Sequence, residues 1–541
     1  MAGSPAWAIG MRLDAIIIGG GHNGLVSAFY LAQAGLKVHV CEARSVVGGA
    51  CVTEEFATGF RNSTASYTVS LLQQKVAADM RLADHGLKIV LRPLNNFLPL
   101  DGDYLKLGAG QTQAEVARFS AKDAAALPAY DARLEVLADQ MRRLALQTPP
   151  GRGLKGLAAL AVQGWPLLGL DAAEQRDLLA LFTRSAREFL DGWFESDPIK
   201  AVLGFDSIVG HFASPDTPGS AYVLLHHVFG QACGIKGAWG HAIGGMGSIT
   251  QAMAKACAAA GVSIGLDERV ARVNVAGGPN GNRVRGVTLE DGRVLEAPIV
   301  ASNAGPALLF RQLVDRADVP ADFARAMDGY AAGSGTFRMN VALSELPDFS
   351  VLPGPGAHLG AGIIMAPSLD YMDRAFTDAK THGWSRQPIV EMLIPSTLDD
   401  TLAPPGRHVA SLFCQQFAPT LPNGQSWDDV REDVADLIID TVTAHAPNFK
   451  ASIIARQIHS PLDLERKFGL VGGDIFHGRI SLDQLWAARP VLGHGDHRMP
   501  IRGLYLCGSG AHPGGGVTGA PGHNAAREIL ADRRVYSRLR V

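Results

Sequence analysis

A glycine-rich turn near the start of the chain constrains the fold more than any other feature of the sequence. It contains Gly19, Gly21 and Gly24 in the spacing G-x-G-x-x-G. An apolar segment at 14–18 predicts a strand before the turn, and an amphipathic segment at 25–34 predicts a helix after it. This order of strand, turn and helix predicts a βαβ unit that binds the pyrophosphate of a dinucleotide.

Each of these glycines has its own physical role in such a unit. Gly19 permits the tight turn, Gly21 lets backbone amides approach the phosphates, and Gly24 lets the helix pack on the strand. A second predicted strand at 37–41 leads into Glu42, whose carboxylate can accept hydrogen bonds from ribose hydroxyls. A glycine turn by itself is also a common structural turn, so the prediction depends on this context.

Length and composition limit the remaining possibilities. The chain has 541 residues, of which 47% are hydrophobic and 19% charged, and its net charge is −3. These values predict a multidomain globular protein and argue against nucleic-acid binding. The first ten residues do not resemble a secretory signal, and no apolar run reaches the roughly 18 residues that span a bilayer. The longest, 156–170, predicts either a core helix or domain contact, or a segment that lies against a membrane surface.

The six cysteines argue against two alternative functions. None of them forms a C-x-x-C or C-x-x-x-x-C pair, so the sequence lacks the redox dithiol of a disulfide reductase and the ligands of a zinc ribbon. We therefore predict no metal site. Their scatter is typical of a reducing compartment, in which cysteines serve as small apolar residues.

A second glycine pair, Gly48–Gly49, distinguishes FAD from NAD. It lies six residues beyond Glu42 and predicts a backbone that passes close to an extended cofactor. A flavoprotein with its own pyridine-nucleotide domain would need two complete dinucleotide fingerprints, and the sequence contains one. We therefore predict FAD as the cofactor. The stretch around Gly48–Gly49 resembles the double-glycine stretch of the amine-oxidase and phytoene-desaturase flavoproteins. Many of those have an arginine where this chain has Ala50, so we assign no cofactor contact to that side chain.

The C-terminal region repeats the pattern of strand, glycine turn and helix. A predicted strand at 503–507 leads into a turn rich in glycine, and we expect the final helix to begin near 516–518. Its positive end would favour negative charge on a reduced flavin. Where many related families have an aspartate, this chain has Ser509, so the sequence does not support ribityl binding by a carboxylate.

The predicted fold class is α/β, with a Rossmann-like FAD-binding domain and a substrate domain of mixed sheet and helices. The α/β pattern returns in mid-chain after the glycine turn at 244–247. We therefore predict that 11–70, 235–330 and 490–541 form the discontinuous FAD-binding domain. Segment 71–234 is predicted to be helical and 331–489 to contain sheet, and together they would form the substrate domain.

Several long motifs resemble one family of flavoproteins. GGGHNGLVSAFYLAQAG, SPDTPGSAYVLLHHVFG and LYLCGSGAHPGGGVTGAPGHNAAR are similar to stretches of the phytoene-desaturase-like FAD-dependent oxidoreductases, and the resemblance extends over nearly all of 14–530. It implies hydride transfer between flavin and an apolar small molecule, with a regulatory link to mitochondrial-type or respiratory function. Polyene or carotenoid desaturation or isomerisation is one alternative. A flavin-containing regulatory or assembly partner is another.

The predicted site residues fall into two groups. The glycine motifs together with the resemblance, which places Val270 near the adenine, predict the following cofactor contacts: Gly19, Gly21, Gly24, Glu42, Ala43, Arg44, Gly48, Gly49, Val270, Gly508, Ser509, Gly516 and Val517. No catalytic residue is assigned. The candidates for lining the site are His512, Trp239, Met246 and His227, with His226, His241 and His477 as further candidates; for His226 and His227 a structural role in packing is the favoured interpretation.

Partners and location follow from the same features. We expect an apolar small-molecule substrate and no nucleic acid, while peripheral membrane contact and homodimerisation stay open. A cytoplasmic location is expected, with membrane association as an alternative and a mitochondrial location if the chain is eukaryotic.

Overall fold

The computed structural model describes residues 13–151, 153–277 and 281–538, without the side chains of 154, 155, 227 and 534–538. Parts of the predicted FAD-binding segments, at 11–12, 278–280 and 539–541, lie outside the described residues. The strands are β1 Ala15–Ile18, β2 Val38–Cys41, β3 Thr53–Ala57, β4 Phe60–Ser63, β5 Ile89–Leu91, β6 Asn96–Pro99, β7 Tyr104–Leu107, β8 Gln231–Ala232, β9 Ile235–Lys236, β10 Gly240–Ala242, β11 Ser263–Gly265, β12 Val270–Ala276, β13 Arg283–Leu289, β14 Val294–Glu296, β15 Val300–Ser302, β16 Phe337–Leu343, β17 Gly362–Met365, β18 Trp384–Leu393, β19 His408–Phe417, β20 Ile453–His459 and β21 Leu504–Leu506. The α-helices are α1 His22–Gln33, α2 Gln74–Asp79, α3 Thr112–Ala117, α4 Ala121–Ala145, α5 Gly153–Gly164, α6 Ala172–Thr183, α7 Ala186–Asp191, α8 Asp197–Phe205, α9 Ser220–Val228, α10 Gly247–Ala259, α11 Pro306–Leu308, α12 Ala321–Asp328, α13 Leu369–His382, α14 Trp427–His445, α15 Phe449–Ser452, α16 Pro461–Phe468 and α17 Ala520–Arg538.

Five parallel strands from three distant parts of the chain form one sheet, in the order β11-β2-β1-β15-β21. Every residue of β1, β2, β15 and β21 is buried, as expected for a parallel sheet that is covered on both faces. The sheet thus joins N-terminal, middle and C-terminal segments. The predicted fold class, with a Rossmann-like domain assembled from these segments, is confirmed.

The two faces of this sheet pack against different layers. Ala15 and Ile17 point to the apolar cluster formed with α1, α10 and α17. Ile16 and Ile18 alternate to the opposite face and pack with the antiparallel sheet β12-β13-β14. Because both faces of β1 are buried, all of its residues are apolar.

A second sheet has seven strands in the order β20-β16-β19-β18-β17-β6-β7. Its pairings are antiparallel, except that β17 and β6 run parallel. One face packs on α14, and near the opposite face α4, α8, α9 and α13 form a further apolar cluster. Segment 71–234, predicted to be helical, also supplies β6 and β7 to this sheet.

Two sequence interpretations are wrong at the level of secondary structure. The apolar run 222–225 before His226 has a strand-like composition, but it lies in helix α9. Short apolar runs fit a buried helix as well as a buried strand, so periodicity does not separate them. The final helix begins at Ala520 instead of near 516–518, because the left-handed φ of +92° at Gly516 and +73° at Gly519 prolongs the turn.

The apolar segment 156–170 is not a core helix. It forms α5 and the following 3₁₀ turn, in which Trp165 is 74% exposed and Leu168 is 71% exposed. Within the described residues, no helix has the length and apolar composition that crossing a membrane requires.

Candidate functional site

A cavity of about 510 Å³ follows the carboxyl ends of β1, β2 and β15. Open parallel sheets bind ligands at this edge, and the volume lies within the roughly 300–1,000 Å³ of small-molecule sites. Of the predicted cofactor residues, the structure brings these to the cavity wall: Gly19, Gly21, Glu42, Ala43, Arg44, Gly48, Gly49, Val270, Ser509, Gly516 and Val517. Gly24 and Gly508 are not part of that wall.

The first turn leaves no room for side chains. Gly19 has a φ of +93°, which favours glycine. A Cβ on Gly21 would lie 2.6 Å from the Nδ2 atom of Asn303, and a Cβ on Gly24 would lie 2.2 Å from the carbonyl oxygen of Gly19. Gly24 therefore allows the close packing of helix on turn, while Gly21 keeps the backbone open towards the cavity.

Helix α1 begins at this turn with its first amides available. Gly21 is the N-cap residue, and it supplies no side-chain hydrogen bond to the first turn. Uncapped amides at a helix N-terminus bind anionic oxygens, and the helix dipole reinforces them. The side-chain-free turn and the uncapped helix end both fit the pyrophosphate of FAD.

Glu42 fixes the geometry of the turn as well as facing the cavity. Its Oε2 atom accepts from the amide of Gly20 at 2.7 Å, and its Oε1 atom accepts from the amide of Arg44 at 2.9 Å. Burial raises the pKa of its carboxyl group, although these two amides oppose the shift. A carboxylate has about four acceptor positions, so ribose hydroxyls can use those that remain.

The two ends of the chain meet beside this turn. The Nε2 atom of His22 donates to the carbonyl oxygen of Gly516 at 3.1 Å, and the Nδ2 atom of Asn23 donates to the Oγ atom of Ser509 at 3.2 Å. Burial lowers the pKa of His22 to about 4, so its ring is neutral at physiological pH. These contacts hold the C-terminal turn against the N-terminus of α1.

Sequence reasoning missed a third turn at the same edge. Asn303, Ala304 and Gly305 follow β15 and line the cavity. Asn303 lies against Gly21, and its carbonyl oxygen would be 2.2 Å from a Cβ on Gly508. Gly508 therefore serves close packing. The signal was present, because a buried strand that ends in Asn-Ala-Gly places that turn beside the first one.

Charged residues surround the part of the cavity wall near Val270. The Oε2 atom of Glu268 accepts from the Nε2 atom of His39 at 2.7 Å, and its Oε1 atom accepts from Arg293 at 2.8 Å. His39, Cys41 and Glu268 offer potential metal-ligand atoms within 4.8 Å of one another. Burial raises the pKa of the Cys41 thiol, so a protonated sulfur faces a carboxylate that already has two partners. The absence of a metal stays a prediction.

Some of the candidate lining residues face the cavity, and another holds a turn that supports its wall. Trp239, Met246 and His477 line the cavity, and burial lowers the pKa of His477 to about 4. His241 does not line it. Its Nε2 atom instead pairs with the Oδ2 atom of Asp399 at 2.8 Å, and the same oxygen accepts from the amide of Gly244 at 2.7 Å. His241 thus supports the glycine turn that precedes α10.

Two further histidines, His512 and His226, do not line the cavity in the described structure. His512 faces away from it and donates through Nε2 to the carbonyl oxygen of Leu144 at 3.0 Å, because its turn packs on the end of α4. His226 packs on the ring of Phe229, with centroids 5.0 Å apart. His227 belongs to α9, and its side chain lies outside the described residues.

Acidification is expected to destabilise the protein between about pH 6.5 and pH 4. Burial lowers the pKa of several histidines to about 4, or about 3 for His512, from an ordinary value of 6.5. In this range the unfolded chain binds protons that the folded chain does not, so stability falls as pH falls. Each histidine contributes up to about 1.4 kcal/mol per pH unit. The group comprises His22, His211, His459, His477, His497 and His512.

Denaturant melts across this pH range test the expectation. The substitution His512→Gln keeps a donor for the carbonyl oxygen of Leu144 and removes one titrating group. The slope of the free energy of unfolding against pH should therefore decrease by about 1.4 kcal/mol per pH unit. A pH-independent free energy of unfolding between pH 6.5 and pH 4 would contradict the prediction.

Comparison with known proteins agrees with this geometry. The profile of the flavin-containing amine oxidoreductases matches residues 24–337. The chain is 42% identical to pyridine nucleotide-disulfide oxidoreductase domain-containing protein 2 of Rattus norvegicus, over 96% of this chain and 93% of that protein. The chain belongs to the flavin-containing amine oxidoreductase family. It is an FAD-dependent oxidoreductase.

More distant relatives share the whole fold. The chain is 24% identical to a lycopene-forming phytoene desaturase of Pseudescherichia vulneris, over 93% of this chain and 96% of that protein. An oxidoreductase structure from Methanosarcina mazei superposes with a TM-score of 0.60 at 15% identity, over 96% of this chain and all of the other. All six cysteines of the present chain are free thiols, so the disulfide in the name of the rat protein has no counterpart here.

Proposed function

We propose that the protein transfers hydride between its flavin and an apolar small molecule. The supporting observation is the apolar part of the cavity wall, which is formed by Leu71, Val209, Trp239, Ile475 and Phe476. Bound FAD supplies the hydride acceptor or donor. The apolar wall holds the substrate and excludes water, and hydride transfer needs positioning more than a strong base.

Anaerobic reduction of the flavin tests this proposal. Purified holoenzyme should lose the visible absorbance of its oxidised flavin when an apolar substrate is added. The screen should cover lipids, polyenes and amines at equal concentrations. If no compound bleaches a protein that is fully loaded with FAD, hydride transfer to an apolar molecule is contradicted.

Two other functions are outcomes of the same screen. The phytoene desaturase among the relatives supports desaturation of a polyene, and conversion without net oxidation would select isomerisation. Full FAD occupancy with a stable protein partner and no turnover would select a regulatory or assembly role. The link to mitochondrial-type or respiratory function that the sequence resemblance implies stays a proposal, as do a cytoplasmic location and homodimerisation.

We also propose peripheral membrane contact through the exposed apolar segment of α5 and the following turn. Substitution of Trp165 and Leu168 by aspartate should reduce sedimentation with phosphatidylcholine–phosphatidylglycerol vesicles at least about tenfold, because burial of each large apolar side chain contributes about 1.5–3 kcal/mol. Val294→Asp is the control, since Val294 is an exposed apolar residue on β14, 58% exposed, and lies outside this segment. Equal sedimentation of all variants would contradict the proposal.

A further inference from the structure

The seven-stranded sheet carries a row of charged and aromatic side chains beside the cavity. Arg338 on β16 pairs with Phe413 on β19, which pairs with Glu391 on β18, so all three point to the same face. Tyr67 stacks on Phe413 with ring centroids 4.9 Å apart, and its Oη atom donates to the Oε2 atom of Glu391 at 2.5 Å. Because Tyr67 lines the cavity, this row lies directly behind the cavity wall.

A second arginine approaches the same wall. The Nη2 atom of Arg92 donates to the hydroxyl of Thr68, and its guanidinium lies 5.6 Å from the ring centroid of Trp239. Thr68 and Trp239 both line the cavity. Arg92 also interacts electrostatically with Asp206 and Glu391. We refer to Arg92, Asp206, Arg338 and Glu391 as the buried charge cluster.

The buried charge cluster is incompletely paired. Among the described residues, no ion pair within 4 Å joins any two of its members. Arg338 is 1% exposed, and its Nη2 atom donates to the Oγ atom of Ser411 at 2.6 Å. Its Nε and Nη1 atoms are buried and have no hydrogen-bond acceptor in the described structure. A buried cation with unused donors is costly unless another group pairs with it.

The charges of the cluster do not balance. Burial raises the pKa of Asp206 to about 8, so this carboxyl is mostly neutral at pH 7. Burial also raises the pKa of Glu391, against the opposing effects of Arg92, Tyr67 and Arg338. Both arginines stay protonated, since arginine keeps its charge in proteins and burial lowers the pKa of Arg338 only to about 10. Two positive charges therefore face at most one full negative charge.

Part of the cluster is open to an internal space. Arg92 and Asp206 both keep some accessible surface, yet loss of water shifts the pKa of each. This combination is expected of groups that face an enclosed cavity and not the outer surface. A ligand in that space could reach the guanidinium of Arg92, whereas the unpaired nitrogens of Arg338 are fully buried.

Resting on the proposed function, we propose that the buried charge cluster binds a carboxylate of the substrate, which is therefore an apolar molecule with one carboxylate group. The guanidinium of Arg92 can bind such a carboxylate, and the added negative charge restores neutrality beside the buried Arg338. A protonated amine would add a third positive charge, and a pure hydrocarbon would leave the excess positive charge unbalanced. The apolar wall would hold the rest of the molecule.

Three ligands of equal chain length test the inference by calorimetric titration of the holoenzyme. Octanoate should bind about tenfold more tightly than octan-1-ol or octylamine. A hydrogen bond to a charged group is stronger than a neutral one by about 1.4 kcal/mol, which corresponds to about tenfold in affinity. Equal affinity for octanoate and octan-1-ol, or tighter binding of octylamine, would overturn the inference. Failure of flavin reduction would overturn only the proposed hydride transfer, because binding is measured separately.

Variants locate the binding site. Arg92→Gln should weaken octanoate at least about tenfold and leave octan-1-ol unchanged, whereas Arg92→Lys should retain part of the affinity. Arg316→Gln, which breaks an exposed pair with Asp328, is the matched control and should bind like the original protein. Each variant is first checked for bound FAD, and if Arg92→Gln loses it, the weaker octanoate binding expected of Arg92→Lys carries the test. Unchanged octanoate binding in a loaded Arg92→Gln or Arg92→Lys protein would overturn the assignment.

Discussion

Substitution of Gly24 by alanine is expected to reduce FAD occupancy to less than about a tenth. A Cβ at this position would lie 2.2 Å from the carbonyl oxygen of Gly19 and 3.1 Å from the Cβ atom of Asn303. The closest obstacle is backbone, so α1 must move away from the turn. Overpacking of this kind costs about 1–3 kcal/mol or more, and the displaced amides would no longer converge on the phosphates.

The ratio of flavin absorbance to protein absorbance after purification measures this effect. Gly164→Ala provides the control, because Gly164 has a helical φ of −77° and, among the described residues, no atom lies within 4 Å of where its Cβ would be. The control should retain its full complement of FAD. Normal FAD content in the Gly24→Ala protein would show that the turn tolerates the displacement and would contradict the role assigned to this glycine.

Substitution of Glu42 by alanine is expected to release FAD and to destabilise the protein. The change removes the acceptor of two amides, those of Gly20 and Arg44, and each buried unsatisfied donor costs about 1–3 kcal/mol. It also removes the acceptors for ribose hydroxyls. We therefore expect a loss of about 2–6 kcal/mol in the free energy of unfolding. Glu42→Gln keeps one carbonyl oxygen, so its free energy of unfolding should lie between those of the original protein and Glu42→Ala.

Urea unfolding and the release of fluorescent flavin on heating measure these two effects. Glu290→Gln is the control, because Glu290 also lines the cavity but pairs with Arg269 at 3.6 Å instead of holding the turn. A Glu42→Ala protein that unfolds at the same urea concentration as the control would show that water replaces the lost acceptor.

Most of the predicted cofactor residues lie on the cavity wall, because their motifs are local. The turn at Gly19, the acidic end of β2 and the pair Gly48–Gly49 fall within a short stretch of chain, where strand, turn and helix chemistry applies directly. Asn303 escaped prediction because its importance arises from contact with Gly21, which is far away in sequence. The roles of His512 and His241 could not be predicted either, since proximity in sequence to a glycine turn does not determine which way a side chain points.

The substrate side was harder to predict for the same reason. Arg92, Asp206, Arg338 and Glu391 lie in four separate parts of the chain, and no motif joins them. Arg338 and Glu391 share one face because β16, β18 and β19 align in one register, with Tyr67 stacked across them. Arg92 and Asp206 approach them from the ends of β5 and α8. Their unusual electrostatics depends on burial, which is a property of the packed structure.

The class of cofactor follows from the amino-acid sequence alone, because glycine spacing and alternating strand and helix patterns act through the local backbone. The same patterns require the FAD-binding sheet to combine segments from both ends of the chain. Which side chains surround the substrate depends instead on the folded chain. Contacts between distant segments fix their orientation, and loss of water sets their charge, so neither can be read from local sequence.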